Sequence, residues 1–228
     1  MVDNMNLITI LVLLVGTFAM MIPMLFQASK YQITKWKIVP TAFVLTVVGT
    51  LGTYLWFFVE NFAFGGRSFY GAVFLVPVVF WLFAYVIRIP YAQLMDLCAP
   101  AECIMLSIMK IKCLIDGCCI GRTLFITELG EIVRFPSQIV ELVAAYVIVW
   151  VLLAMSCKTQ HRGKIYPWYL ILYGASRFVL NFFRDEWAQY NGGIPPFGNI
   201  WSVCAVIIGV VWIILYNKRR DASKKSVT

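Results

Sequence analysis

MKIKCLIDGCCIGR, residues 109–122, sets Lys110, Lys112 and Asp116 in a chain otherwise suited to lipid. An ionisable group at membrane depth costs at least about 2–3 kcal/mol, so such a group faces a polar cavity or a charged partner. Two further segments repeat the pattern. RFPSQIVE (134–141) and YGASRFVLNFFRDE (173–186) are apolar stretches with charges at helical spacing. Three such segments in one small chain imply a shared polar site inside a helix bundle.

The rest of the chain agrees. Of its 228 residues, 61% are hydrophobic and 13% charged, against roughly 45–50% and 25% in soluble domains. This composition predicts an all-α polytopic membrane protein. No polar linker, low-complexity stretch or internal repeat divides it, so residues 1–228 are read as a single transmembrane domain. A span needs about 20 apolar residues. Seven segments qualify: 7–26, 39–58, 72–87, 94–114, 137–155, 165–183 and 200–216. MVDNMNLITI lacks the basic start of a signal peptide, so the first is read as a retained span. The fourth carries Asp96, Pro100, Glu102, Lys110 and Lys112. That is too much charge for a lipid-facing helix. It must be surrounded by protein, interfacial, or broken near Ala99-Pro100.

Basic residues set the orientation. With the N-terminus outside, the inner segments hold Lys30, Lys35, Lys37, Arg88, Lys158, Arg162, Lys164, Lys218, Arg219, Arg220, Lys224 and Lys225. The outer segments hold Arg67, Arg122, Arg134 and Arg184. Seven spans, N-out and C-in, follow from this asymmetry. GGRSFYG (65–71), DGCCIGR (116–122), RFPSQ (134–138) and FFRDE (182–186) then all fall at the outer face. The net charge of +8 is mostly cytoplasmic and suits anionic lipid. The basic residues form no base-reading motif, so nucleic acid is not an expected partner.

In the sixth span Arg177, Asn181 and Arg184 share one helical face at i, i+4 and i+7. Gln138 and Glu141 share a face of the fifth, and Lys112 and Asp116 form an i, i+4 pair. Arginine offers a planar fork for phosphate, and lysine a compact charge. A phospholipid phosphate is the natural anion for such a cluster near a membrane surface. The alternative is mutual neutralisation, Glu141 with Arg177 and Asp116 with Lys112, which would specify packing without chemistry. His161, the single histidine, lies in the basic segment 158–164 and reads as surface. The seven cysteines show no paired spacing and read as packing residues. No CxxC spacing or histidine accompanies Cys118-Cys119, so neither a metal nor a cofactor is expected. Gly65-Gly66 and Gly192-Gly193 read as hinges in outer connections.

Four segments, in this order, resemble the prolipoprotein diacylglyceryl transferase family, over residues 65–186. GGRSFYGAVF looks like its GG-x-S-[FY]-HGG segment. IPYAQLMDLCAPAECIMLSIMKIKCLIDGCCIG looks like its aspartate–alanine–proline helix running into GR-x-GNF-x-NGE-x-x-G. RFPSQIVE looks like its HPSQ-x-x-E segment, and YGASRFVLNFFRDE its G-x-x-RF-x-x-E-x-x-R segment. The family moves the diacylglyceryl group of phosphatidylglycerol to the lipobox cysteine thiol of a preprolipoprotein, with release of glycerol phosphate. The resemblance implies a bacterial plasma-membrane enzyme whose partners are phosphatidylglycerol, a prolipoprotein signal peptide and membrane lipids.

Carried over by position, Arg177 stands at the family's essential arginine and Arg184 at the arginine that follows. Gln138 and Glu141 match PSQ-x-x-E, Asp96 the helix aspartate, and Gly117 and Gly121 the signature glycines. Other positions depart. Tyr70 and Phe135 replace histidines, Asn181 a glutamate, and Lys110 the signature arginine. Lys112 and Cys113 replace a glycine and an asparagine, Asp116 a second asparagine, and Cys118 a glutamate. A phenol is a poor base near neutral pH. The resemblance assigns catalysis to Arg177, Tyr70, Lys110 and Glu141. It assigns substrate binding to Arg184, Gln138, Asp116, Asn181, Gly121 and Lys112. Two other readings keep the phospholipid: a transferase with another acceptor, and a non-catalytic lipid-binding module. A small-solute transporter is disfavoured, since paired repeats with broken helices are lacking.

Overall fold

A computed structural model describes residues 2–63, 66–119, 121–127, 131–184 and 197–225. Gly65, Asp185, Glu186, Gly192 and Gly193, which carry parts of the outer segments and a hinge, lie outside the described residues. The described residues form seven α-helices: α1 (Val2–Tyr31), α2 (Ile38–Asn61), α3 (Tyr70–Ile87), α4 (Tyr91–Asp116), α5 (Ser137–Ser156), α6 (Ile165–Asn181) and α7 (Phe197–Lys225). Each expected apolar segment falls on one helix, except that the sixth runs two residues past the end of α6. Between α4 and α5 the chain makes a short antiparallel hairpin of β1 (Thr123–Ile126) and β2 (Ile132–Arg134).

Five helices, α1, α2, α3, α5 and α7, are long and apolar enough to cross a bilayer. Their outer faces expose large apolar side chains such as Phe18, Ile22, Trp81, Val86 and Trp150. A soluble monomer rarely shows so wide an apolar surface; hydrocarbon is the solvent that suits it. Of the remaining two, α4 carries several charges and is buried along much of its length, and α6, at 17 residues, is the shortest of the seven.

α4 settles the question its charges raised. It is one unbroken helix of 26 residues, about 39 Å at 1.5 Å per residue, and it is not broken near Pro100. Residues 94–103 are buried without exception. The helix packs against α1, α3, α5 and α6, so its polar side chains meet protein rather than lipid. Asp96 shows what this allows. Its carboxylate accepts the Tyr31 hydroxyl (2.5 Å), the Gly163 N–H (2.5 Å) and the Ile165 N–H (2.8 Å). It thereby caps the start of α6 and ties α1, α4 and α6 together. Orphaning a buried donor costs about 1–3 kcal/mol, and Asp96→Ala orphans three. We expect this variant to lose thermal stability in detergent; an unchanged unfolding temperature would refute the capping role.

Elsewhere the helices meet through small residues, since lipid tails leave no hydrophobic drive between helices and close packing must supply it. A Cβ on Gly71 would lie 1.9 Å from the Gly52 carbonyl oxygen, so α2 and α3 cross backbone to backbone. α6 and α7 approach in the same way at Gly174 against the Ser202 carbonyl and at Gly209 against the Pro167 carbonyl. These contacts fix where the C-terminal end of α6, which carries Arg177, sits against its neighbours.

Candidate active site

Lys110 lies on the buried face of α4, Glu141 one turn into α5, and Arg177 one turn before the end of α6. Helix packing brings them together. Lys110 Nζ is 2.5 Å from Glu141 Oε2, and Arg177 Nη1 is 2.5 Å from Glu141 Oε1. Arg184 Nη1 reaches the same Oε1 at 3.5 Å. Two cations from two helices, and a third from the segment that follows α6, thus meet one carboxylate that is nearly inaccessible to solvent. Arg177 Nε is also buried, and has no acceptor among the described residues.

The other expected site residues take separate places. Lys112 and Asp116 pair with each other across the last turn of α4. Of the two pairs that neutralisation requires, this one is self-contained; Glu141 is shared among several cations. Tyr70, the first residue of α3, is buried, and its hydroxyl lies 2.5 Å from Ser202 Oγ on α7. Its ring packs against Tyr173, one turn before Arg177, and stacks on Phe74. Tyr70 therefore borders the cluster, with its hydroxyl bonded to α7 instead of to Glu141. Asn181 is buried at the end of α6, where its amide nitrogen sits near Gly198 at the start of α7. That nitrogen has no partner among the described residues.

Gln138 and Gly121 build the wall beside the cluster. Gln138 Nε2 donates to the Cys118 carbonyl at 2.7 Å, and Ser137 Oγ donates to the Cys119 carbonyl at 2.6 Å. Gly121 bridges to Arg184 as an isolated pair of strand residues. A Cβ there would come within 2.3 Å of the Phe135 carbonyl oxygen. The Arg122 N–H donates to the Phe183 carbonyl, and the Phe135 N–H to the Arg122 carbonyl. Phe135, at a histidine position of the resemblance, stacks on Phe183 at 4.7 Å between ring centroids. The segment after α4 is thus stitched between the start of α5 and the end of α6, which holds Arg184 over the cluster.

The cysteines are where sequence reasoning stopped short. Cys113, Cys118 and Cys119 place their Sγ atoms within 4.8 Å of one another. The signal in the sequence was Gly117, which ends α4 in the left-handed region (φ 64°) and turns the chain back on its last turn. The Cys119 thiol is held well below the ordinary thiol range, first by a hydrogen bond from the Cys113 thiol and then by the Lys110 and Arg184 charges, against the opposing effect of burial. His161 lies in the segment between α5 and α6, away from these groups, with Gln160 as its hydrogen-bond neighbour.

A helical bundle with an apolar exterior and a buried cluster of cations around one carboxylate defines a multi-pass membrane protein with a charged interior site. The family follows from comparison with known proteins. The chain belongs to the prolipoprotein diacylglyceryl transferases, a family of transferases, whose model matches residues 8–215. It is similar to the phosphatidylglycerol–prolipoprotein diacylglyceryl transferase of Geobacter sulfurreducens, 28% identical over 168 residues, which cover 68% of this chain and 64% of that protein. The enzyme of the same name from Francisella tularensis subsp. holarctica is 30% identical over 161 residues, covering 66% and 60%. That from Mannheimia succiniciproducens is 28% identical over 170 residues, covering 70% and 63%. The chain spans less than two thirds of the length of these relatives.

Proposed function

We propose that this protein transfers the diacylglyceryl group of phosphatidylglycerol to the lipobox cysteine of prolipoproteins, in a bacterial plasma membrane. The observation that carries this reading is the convergence of Lys110, Arg177 and Arg184 on the single carboxylate of Glu141. Lys110 and Arg177 bring two positive charges to this one carboxylate, and a phosphate answers the second. The acceptor thiolate attacks the glycerol carbon bonded to the phosphate ester oxygen. That carbon–oxygen bond breaks, a thioether forms, and glycerol phosphate departs with the electron pair. Negative charge develops on the departing phosphate, where fixed cations act without reorganising. Arg177 supplies the planar fork, with its Nε, which has no acceptor among the described residues, as the added donor; Lys110 and Arg184 supply further charge. Glu141 holds these cations in place. Gln138 and Gly121 shape the wall, while Asp116, Lys112 and Asn181, placed apart from the cluster, take no part in this step. Tyr70 acts through position, beside Tyr173.

The same reading takes α4 and α6 as spans, seven in all, with the N-terminus outside and the C-terminal KRRDASKK segment inside. A reporter fused after Asn217 is expected to report the cytoplasmic side; a signal from outside refutes the orientation. The activity is tested with the purified chain, labelled phosphatidylglycerol and a lipobox peptide. We expect labelled thioether product and release of glycerol phosphate. No transfer by folded protein, with binding of the lipid retained, would point instead to the lipid-binding reading.

A further inference from the structure

We propose that Cys113, Cys118 and Cys119 form a three-thiolate zinc site, with a fourth coordination position left for water or an incoming thiol. Zinc–sulfur bonds of about 2.3 Å place tetrahedral sulfurs about 3.8 Å apart. The three Sγ atoms already lie within 4.8 Å of one another. Closing the remaining distance of about 1 Å is within the reach of side-chain rotation.

The backbone that presents two of the ligands is fixed independently of the thiols. Gly117 and Cys119 both have positive φ, 64° and 57°, which folds the chain back over the end of α4. A non-glycine residue in this region is uncommon and persists where its surroundings hold it. Here the holding groups are Gln138 and Ser137 on α5, bonded to the Cys118 and Cys119 carbonyls. The trio is also reachable, since Cys118 is exposed and the other two are half-buried.

Among the described residues, no histidine, carboxylate or further cysteine completes the group. Structural zinc sites are closed by four protein ligands, whereas three leave an exchangeable position. Zinc binding releases the ligand protons, and three thiolates around a divalent ion carry one net negative charge. Lys110, one turn before Cys113 on α4, offers positive charge near the site. A thiol that enters the fourth position is bound deprotonated. If the transferase reading holds, that thiol is the acceptor cysteine, placed beside the phosphate-directed cations.

The test uses the full chain, purified in detergent under reducing conditions, loaded with zinc and passed through a desalting column. Mass spectrometry of the metal is expected to find about one zinc per chain. Cobalt in its place should give the visible absorption of a tetrahedral thiolate site. Cys113→Ser, Cys118→Ser and Cys119→Ser should each reduce zinc retention at least tenfold, while Cys157→Ser, remote in sequence and exposed, retains it. Adding a cysteine peptide should shift the cobalt spectrum. Failure of wild-type protein to retain zinc, wild-type retention by any of the three serine variants, or a disulfide between two of the three under these conditions would overturn the site. A cobalt spectrum indifferent to the peptide would overturn the open position. None of these readouts depends on lipid transfer, so the site and the transferase activity fail separately.

Discussion

Arg177→Lys is expected to lose diacylglyceryl transfer by about 10²–10³-fold, the typical cost of removing one charge-stabilising donor, and Arg177→Ala by at least as much. The reason lies in what each side chain can do at this point. Lysine retains a positive charge beside Glu141, so the ion pair that Arg177 Nη1 makes with Oε1 has a replacement. It cannot reproduce the planar fork, and it has no counterpart to Nε, the buried donor without an acceptor among the described residues. The lysine variant should therefore insert and fold while failing in chemistry. That pattern separates a phosphate-directed arginine from a structural one. The assay follows label from phosphatidylglycerol into a lipobox peptide, alongside thermal unfolding in detergent. Full activity in Arg177→Lys would end the fork argument. Equal loss of folding and activity would return Arg177 to a purely structural role.

The second large effect is expected at Glu141, and it is read first in stability. Removing one partner of a buried ion pair costs about 3–5 kcal/mol, because the charge left behind is uncompensated. Glu141→Ala leaves Lys110 and Arg177 without their shared carboxylate, so we expect poor yield and a much lower unfolding temperature. Glu141→Gln keeps the shape and an acceptor oxygen, and should lie between. The informative measurement is a double-mutant cycle with Lys110→Met, since contacting residues couple by about 0.5–3 kcal/mol. Lys110→Met should destabilise the wild type and recover stability in Glu141→Gln. Additive effects of the two substitutions would show that the close approach of Lys110 to Glu141 contributes nothing.

Both effects rest on a carboxylate whose partners a linear reading only half identifies. The spacing of Gln138 and Glu141, and of Arg177, Asn181 and Arg184, was legible because residues three, four and seven apart share a helix face. The pairing of Lys112 with Asp116 was legible for the same reason and is present. The division of labour along α4 was also available: at about 100° per residue, Lys110 and Lys112 lie about 200° apart on the helix. One turns to Glu141 and the other to Asp116. Tyr70 is a different case. Its hydroxyl partner, Ser202, is 132 residues away, and nothing local in either segment announces it.

The sequence by itself determined that this chain lives in a membrane, where its helices lie, and which residue types crowd into a few costly positions. Those features follow from local physics: apolar density over a helix length, the expense of charge in lipid, and periodicity along one helix. The tertiary structure alone decided that α4 runs unbroken through the centre of the bundle. It also decided that Asp96 caps α6, that several cations share Glu141, and that three cysteines without a recognisable spacing meet behind Gly117. These depend on how helices are rotated and offset against one another. Backbone approaches at Gly52 and Gly71 and at Gly174 and Gly209 set those rotations, and such contacts join residues far apart in the chain, beyond the reach of any local pattern.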